Sequence, residues 1–293
     1  MSAPVPSRPS EVKDWCISNG FHPSKTLGQN FLVDGNTVEA ILDAAGVAEG
    51  TRVLEVGPGF GALTRAMAER GASVTAVEKD ARLAELLEGS TPSTPNPVRV
   101  LAADMLELSL DELLAPGFDA FVSNLPYSVG TRILLDVCRH PLAPPLCVVM
   151  VQREVAERLA AAPGEPARGQ AGVWVQDDFR VTPLRTVRPT CFWPRPEVSS
   201  TVVRLDAVGG PREPDAARRA FERLTKLAFM HRRKQLGTVL RKGGARELGL
   251  AGENDVARLF VEAAVAASAR AEELSRDDWR RLARRLAALK EGG

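Results

Sequence analysis

The chain has 293 residues, 44% hydrophobic and 26% charged, enough for one large or two ordinary domains with real cores. No run approaches the roughly 18 apolar residues of a membrane span, and the Pro/Ser-rich lead with Glu11 and Asp14 has the pattern of neither a signal nor a transit peptide. The net charge of +1 hides a division: 24 Lys/Arg stand against 14 Asp/Glu from residue 180 onward, and 14 against 23 before it. An acidic front and a basic back suit a protein that meets a polyanion with its C-terminal part, although solvated helix faces give the same count. Cys16, Cys138, Cys147 and Cys191 show neither metal spacing nor a secreted disulfide framework. A cytoplasmic protein with reduced thiols is expected.

In chain order, a short helix over 11–19 precedes Leu27-Gly28-Gln29-Asn30-Phe31-Leu32, whose polar centre is unusual for a linker. Val38, Ile41 and Leu42 then predict a helix over 37–45, closed at Gly46. From Thr51, β-branched runs at 52–56, 73–77, 98–101, 119–123 and 146–151 alternate with helical spacing at 62–70, 81–88, 131–139 and 154–161. That alternation predicts a parallel sheet covered by helices. Loops are expected at 90–97 and 163–166. Two further strands, at 173–181 and 199–205, read as an antiparallel edge. Past Gly209-Gly210-Pro211 the strands stop, and helices are predicted over 215–229, 253–267 and 275–290. The last of these starts at a Ser275/Asp278 signal, with Arg280, Arg281, Arg284 and Arg285 largely off its apolar stripe. The division is 1–50 as a helical lead, 51–208 as an α/β catalytic domain and 211–293 as a small all-helical domain.

The loop Glu55-Val56-Gly57-Pro58-Gly59-Phe60-Gly61 follows the first strand of the alternation and opens a helix. Gly57 and Gly59 allow close approach of backbone to a ligand, and the second strand ends in Glu78, placed to accept from ribose hydroxyls. The spacing departs from the dinucleotide fingerprint, and a carboxylate at 55 is unwelcome beside a pyrophosphate. With Asp104 after the third strand, suited to an adenine amino group, three strand-end acids favour a cofactor carrying positive charge. S-adenosylmethionine (SAM) has a sulfonium and an ammonium, which places it ahead of NAD.

Ser123-Asn124-Leu125-Pro126-Tyr127 ends a buried strand. Alone, it is more often a proline turn with a core tyrosine. It also has the groups needed to methylate an exocyclic adenine amine, whose lone pair is delocalised into the ring. The Asn124 side-chain oxygen and the Leu125 carbonyl can accept the N6 hydrogens, Pro126 has no N–H to compete, and Tyr127 can stack on the base. No metal is required.

Together these segments resemble the bacterial small-subunit ribosomal RNA adenine dimethyltransferases. The matching blocks are Leu27 to Leu32, Glu55 to Gly61, Val77-Glu78-Lys79-Asp80, Ala103-Asp104-Met105, Asn124 to Tyr127, Val151-Gln152-Arg153-Glu154-Val155, Phe192-Trp193-Pro194-Arg195-Pro196 through Leu205, and His231-Arg232-Arg233-Lys234. They run in family order over nearly the whole chain. The resemblance implies a Rossmann-like class I SAM-dependent methyltransferase with a mostly parallel seven-stranded sheet and a C-terminal helical domain. It implies that Asn30, Leu32, Gly57, Gly59, Glu78, Asp104 and Asn124 contact SAM, and that Phe192 closes on the adenine opposite Tyr127. The substrate it implies is a pair of adjacent adenosines in the 3′-terminal hairpin loop of 16S rRNA, within a precursor of the 30S subunit. The basic helical domain would lie on RNA phosphates, with no membrane and a monomeric protein.

The segment Arg168-Gly169-Gln170-Ala171-Gly172-Val173 lacks the aromatic and the serine expected around that glycine, and Thr131-Arg132 replaces a small residue followed by proline. These departures concern the shape of a loop and leave the proposed chemistry intact. The alternatives are a related 23S rRNA adenine methyltransferase, a non-catalytic RNA-binding protein that kept the fold, and an NAD enzyme.

Overall fold

A computed structural model of the chain describes residues 9–24, 27–89, 96–209 and 213–291. The predicted loop at 90–97 and the boundary at 209–211 fall largely outside them. The chain divides into two compact units. The first takes the residues up to Ala156 together with Asp178–Ala207. In chain order it contains α1 (Pro9–Ser18), β1 (Phe31–Leu32), α2 (Gly35–Ala45), β2 (Arg52–Val56), α3 (Ala62–Glu69), β3 (Ser73–Glu78), α4 (Ala81–Glu88), β4 (Val98–Ala102), α5 (Leu110–Leu114), β5 (Ala120–Asn124), α6 (Gly130–Cys138) and β6 (Leu146–Gln152). The division falls within α7 (Arg153–Ala160), and α8 (Gln170–Asp178) belongs almost entirely to the second unit. The chain then returns to the first unit as β7 (Phe179–Val187), β8 (Phe192–Trp193) and β9 (Ser200–Ala207).

The strand order is β4-β3-β2-β5-β6-β9-β7. Neighbours are parallel from β4 to β6, while β9 lies antiparallel to both β6 and β7. Successive strands run one way from β2 to β4 and then resume on its other side at β5, so the order reverses between β2 and β5. Ligands of open α/β sheets bind outside the strand ends at such a switch point. Local chemistry supports each element around it. In α2 the Asp34 carboxylate accepts from the Thr37 N–H at 3.0 Å, Ile41 and Leu42 are wholly buried, and Gly46 closes the helix at φ 62°. The Ser123 hydroxyl donates to the Val56 carbonyl, tying β5 to β2 one residue before the site.

A small antiparallel ribbon, β1 with β8, pairs Phe31 with Trp193 and Leu32 with Phe192. Neither strand has an alternating pattern long enough to be read locally.

The second unit comprises Glu157–Asp177 and the residues from Val208 onward. The uninterrupted 51–208 domain read from the sequence is thus corrected, because 157–177 packs with the C-terminal helices. Residues 173–181 were expected as one strand, but α8 extends to Asp178 and β7 starts at Phe179. Val173-Trp174-Val175 looks like a strand because its residues are β-branched and aromatic. Its burial decides otherwise: Val173 lies in a cluster with Phe221, Leu224, Leu259 and Trp279, and the Trp174 indole donates to the Thr225 hydroxyl at 2.8 Å.

The remaining elements of the second unit are α9 (Asp215–Met230), the short α10 (Leu236–Val239) and α11 (Ala245–Leu248), α12 (Glu253–Ala263) and α13 (Arg276–Glu291). α12 stops four residues earlier than its composition suggests because Ala264 adopts φ 51° and turns its N–H back onto Phe260 and Val261. The start of α13 is as read: the Asp278 carboxylate accepts from the Ser275 N–H at 2.9 Å and the Ser275 hydroxyl accepts from the Asp278 N–H at 3.2 Å.

Candidate active site

A cleft with about 1110 Å3 of empty space, part of it open to solvent, lies at the switch point. Its walls come from segments far apart in sequence: Leu27–Leu32, Glu55–Phe60, Val77–Lys79, Ala103–Leu106 and Asn124–Val129. Asn30, Leu32, Gly57, Gly59, Glu78, Asp104, Asn124, Leu125, Pro126 and Tyr127 therefore all line one space.

The glycine loop is held from both sides. Gly57 donates to the Val77 carbonyl at 2.9 Å, and Gly59 donates to a Glu78 carboxylate oxygen at 3.0 Å. Gly59 sits at φ 57°, and a Cβ there would be 2.7 Å from the Phe31 ring, so no other residue fits without moving the ribbon. Phe31 in turn meets Phe60 edge to face at 4.6 Å, and Phe60 meets Trp15 of α1 at 5.2 Å. An aromatic cluster thus clamps the N-terminal segment over the loop.

The three acids differ in state, which corrects the reading of them as a uniform set of negative charges. Glu55 is 1% exposed and burial pushes its pKa up to about 8, against the opposing effect of the Thr64 hydrogen bond at 2.6 Å. It is mostly neutral at pH 7. Burial also raises Glu78, while the Asp80 and Gly59 N–H groups hold its two oxygens. Asp104 is lowered, first by the Lys79 ammonium at 2.6 Å and then by the Leu106 N–H at 3.0 Å. Its carboxylate already has two donors, leaving only its other lone pairs for a ligand.

The Asn124 amide is oriented across the cleft. Its Nδ2 donates to the Asn30 carbonyl at 3.1 Å, and because that carbonyl only accepts, the amide nitrogen must face it. Asn124 Oδ1 is then buried with no hydrogen-bond partner among the described residues. Pro126 closes the turn by accepting from Gly130 at 2.7 Å and Val129 at 3.3 Å, which starts α6. The Tyr127 phenol pairs with the Ser200 hydroxyl.

Phe192 stands apart. It is 3% exposed and packs with Leu32, Val38, Val187 and Val202 in the core. It is not among the residues lining the cleft. Its cross-strand partner Leu32 is buried in the same cluster, at 6% exposed, and also lines the cleft.

Sequence reasoning gave no role to Lys79, Thr64 or Ser200. Lys79 stands beside Glu78 in a matched block, which was a usable signal. Ser200 also lies within a matched block, but nothing there pointed to Tyr127, its partner 73 positions earlier. Among the described residues no group of His, Cys, Asp and Glu could hold a metal ion, and no helix is long and apolar enough to cross a membrane.

The seven-stranded sheet with antiparallel β9 between β6 and β7, and a glycine loop opening onto the switch point, define a class I SAM-dependent methyltransferase. The residues fit that cofactor: a backbone cradle at Gly57 and Gly59, acids at or just past the ends of β3 and β4, and on the lining residue Asn124 a buried acceptor with no partner among the described residues. The chain belongs to the ribosomal RNA adenine dimethylase family, whose model matches residues 20–288. It is 38% identical over 281 residues to the ribosomal RNA small subunit methyltransferase A of Opitutus terrae, covering 95% of this chain and 98% of that one. To the protein of the same description from Mycolicibacterium paratuberculosis it is 42% identical over 286 residues, covering 95% and 87%. Among solved structures, the 23S rRNA methyltransferase ErmE superposes with a TM-score of 0.63 at 29% identity, over 88% of this chain and 99% of that one. A dimethyladenosine transferase from Plasmodium falciparum gives 0.69 at 21% identity, over 86% and 95%, and shares the fold.

Proposed function

We propose that this protein dimethylates the exocyclic N6 of two adjacent adenosines in the 3′-terminal hairpin loop of 16S rRNA, acting on a precursor of the 30S subunit in the cytoplasm. The observation that carries this reading is Asn124 Oδ1, an acceptor that is buried without a donor among the described residues, on a residue lining the cleft. An adenine amino group supplies the missing N–H. The Leu125 carbonyl, next in the turn, accepts the second one. Holding both hydrogens in one plane directs the nitrogen lone pair along the line of transfer. The second transfer needs only one acceptor, and a neutral amide serves both rounds without a change of charge.

When bound, SAM supplies an electrophilic methyl group on its sulfonium. Glu78 and the glycine loop hold the ribose side of the cofactor, Asp104 the adenine side, and Asn30 and Leu32 close over it. Tyr127 stacks on the target base, which has to leave its own stack to enter the cleft. No side-chain base is needed, because the amine proton becomes acidic as the N–C bond forms and passes to water. Stacking by Phe192 on the other face requires its ring to turn out of the core, so Tyr127 carries the aromatic contact in this reading.

The second unit is read as the lobe that meets RNA phosphates, in a protein acting as a monomer. Its exposed cations Arg233, Lys234, Arg241, Lys242 and Arg246 support that reading better than α13 does. On α13, Arg280 bonds Asp177 at 2.6 Å, Arg284 bonds Glu213 at 2.8 Å and Arg281 pairs with Asp278. Those arginines are neutralised within the unit.

The test is mass spectrometry of rRNA after incubating the protein and SAM with unmethylated 30S and 50S particles. Dimethylated adenines in the 3′-terminal hairpin of 16S rRNA are expected. Label confined to 23S rRNA would favour the second reading, to which the ErmE likeness points.

A further inference from the structure

We propose that Ser200 is a positioning residue for methyl transfer, tethering the Tyr127 hydroxyl so that the ring is held ready for the target base. The inference rests on the reading of Tyr127 as the stacking ring. Tyr127 is the single tyrosine of the chain. It follows the Asn124-Leu125-Pro126 turn, outside any strand or helix, where the choice among its side-chain rotamers is set by what the ring touches. Its hydroxyl pairs with the Ser200 hydroxyl, and Ser200 is fully buried.

Ser200 is a firm anchor because of where it sits. It opens β9, opposite Gln152 of β6 on one side and Val187 of β7 on the other. Its backbone is therefore held in the sheet from both edges. A buried serine commonly returns its hydroxyl to a nearby carbonyl. This one instead bonds a ring 73 residues away, on the turn that carries Asn124. Fixing a half-buried ring at both its Cβ and its far oxygen removes ring rotation before substrate arrives, which lowers the cost of reaching the reactive geometry.

The tether predicts a loss in turnover with little change in binding. Ser200→Ala and Tyr127→Phe, assayed on unmethylated 30S particles, should each lower kcat roughly three- to tenfold, the worth of one hydrogen bond, with KM for 30S and for SAM within about twofold of wild type. The double variant should be no worse than the worse single one, because both remove the same bond. Protein made with tyrosine labelled with carbon-13 at Cζ gives one resonance, which should shift in Ser200→Ala at neutral pH. Additive losses in the double variant, or a resonance that Ser200→Ala leaves in place, would overturn the tether. A wild-type protein inactive on 30S would count against the substrate reading alone, and the resonance would then decide the tether.

Discussion

The side-chain nitrogen of Asn124 donates to the backbone carbonyl of Asn30 across 94 positions of sequence. That bond sets which end of the Asn124 amide faces the cleft. Gly28 makes the approach possible: it sits at φ 66°, and a Cβ there would be 3.0 Å from the backbone nitrogens of Tyr127 and Ser128. The Asn30 side chain also bonds the Gly28 carbonyl at 3.2 Å, keeping the segment in shape. A motif near the N-terminus thus packs directly against the Asn124–Tyr127 turn.

Asn124→Ala should lower kcat by about 10²–10³, the range for loss of one preorganised polar group at a reacting centre. RNA affinity should stay close to wild type. Methyl incorporation and a filter-binding assay on the same particles separate the two, and equal turnover in the variant would remove Asn124 from the mechanism.

Glu55 makes the cofactor-free protein sensitive to pH. Its folded pKa of about 8 lies above the ordinary 4.5. The folded state therefore retains a proton that the unfolded chain gives up between those values, and stability falls as pH rises through that window. Glu55→Gln keeps the neutral form at every pH. Urea midpoints should agree between variant and wild type near pH 4, and near pH 8 the variant should be more stable by an amount on the order of a few kcal/mol.

If Asp104 holds the cofactor as proposed, Lys79 is its competitor for that carboxylate. Replacing it by Met removes the ammonium that holds the carboxylate at 2.6 Å and lets the Asp104 pKa rise back toward the usual carboxylate range. An exposed pair of this kind is weakened by solvent and contributes little. Calorimetry at pH 7 should show SAM binding tightened by roughly two- to fivefold, with a smaller gain at high salt.

The segment at 168–173 has a packing explanation. Arg168 is 1% exposed and reaches the Ala161 carbonyl at 2.7 Å, Gln176 at 2.8 Å and the Leu274 carbonyl at 3.3 Å. A Cβ on Gly172 would lie 2.3 Å from the Arg158 carbonyl, so a serine here forces α8 to shift away from α7. Gly172→Ser should cost about 1–3 kcal/mol, read as a lower urea midpoint for the second unit.

The order of elements, the glycine loop and the Asn-Leu-Pro-Tyr turn were legible in the sequence because each depends on local chemistry: β-branched runs, caps, and backbone that only glycine or proline allows. Glu55, Glu78, Asp104 and Asn124 were legible as one site because strand ends in a parallel sheet must converge at the switch point, whereas Asn30 and Leu32 were placed there by the resemblance alone. What local chemistry could not convey was decided by packing between distant segments. The strand-like 173–178 became helix because its apolar side chains had a helical core to enter. Phe192 entered the core beside its cross-strand partner Leu32. Glu55 lost its charge to burial, Lys79 claimed Asp104, and Ser200 met Tyr127 only once β9 was laid between β6 and β7.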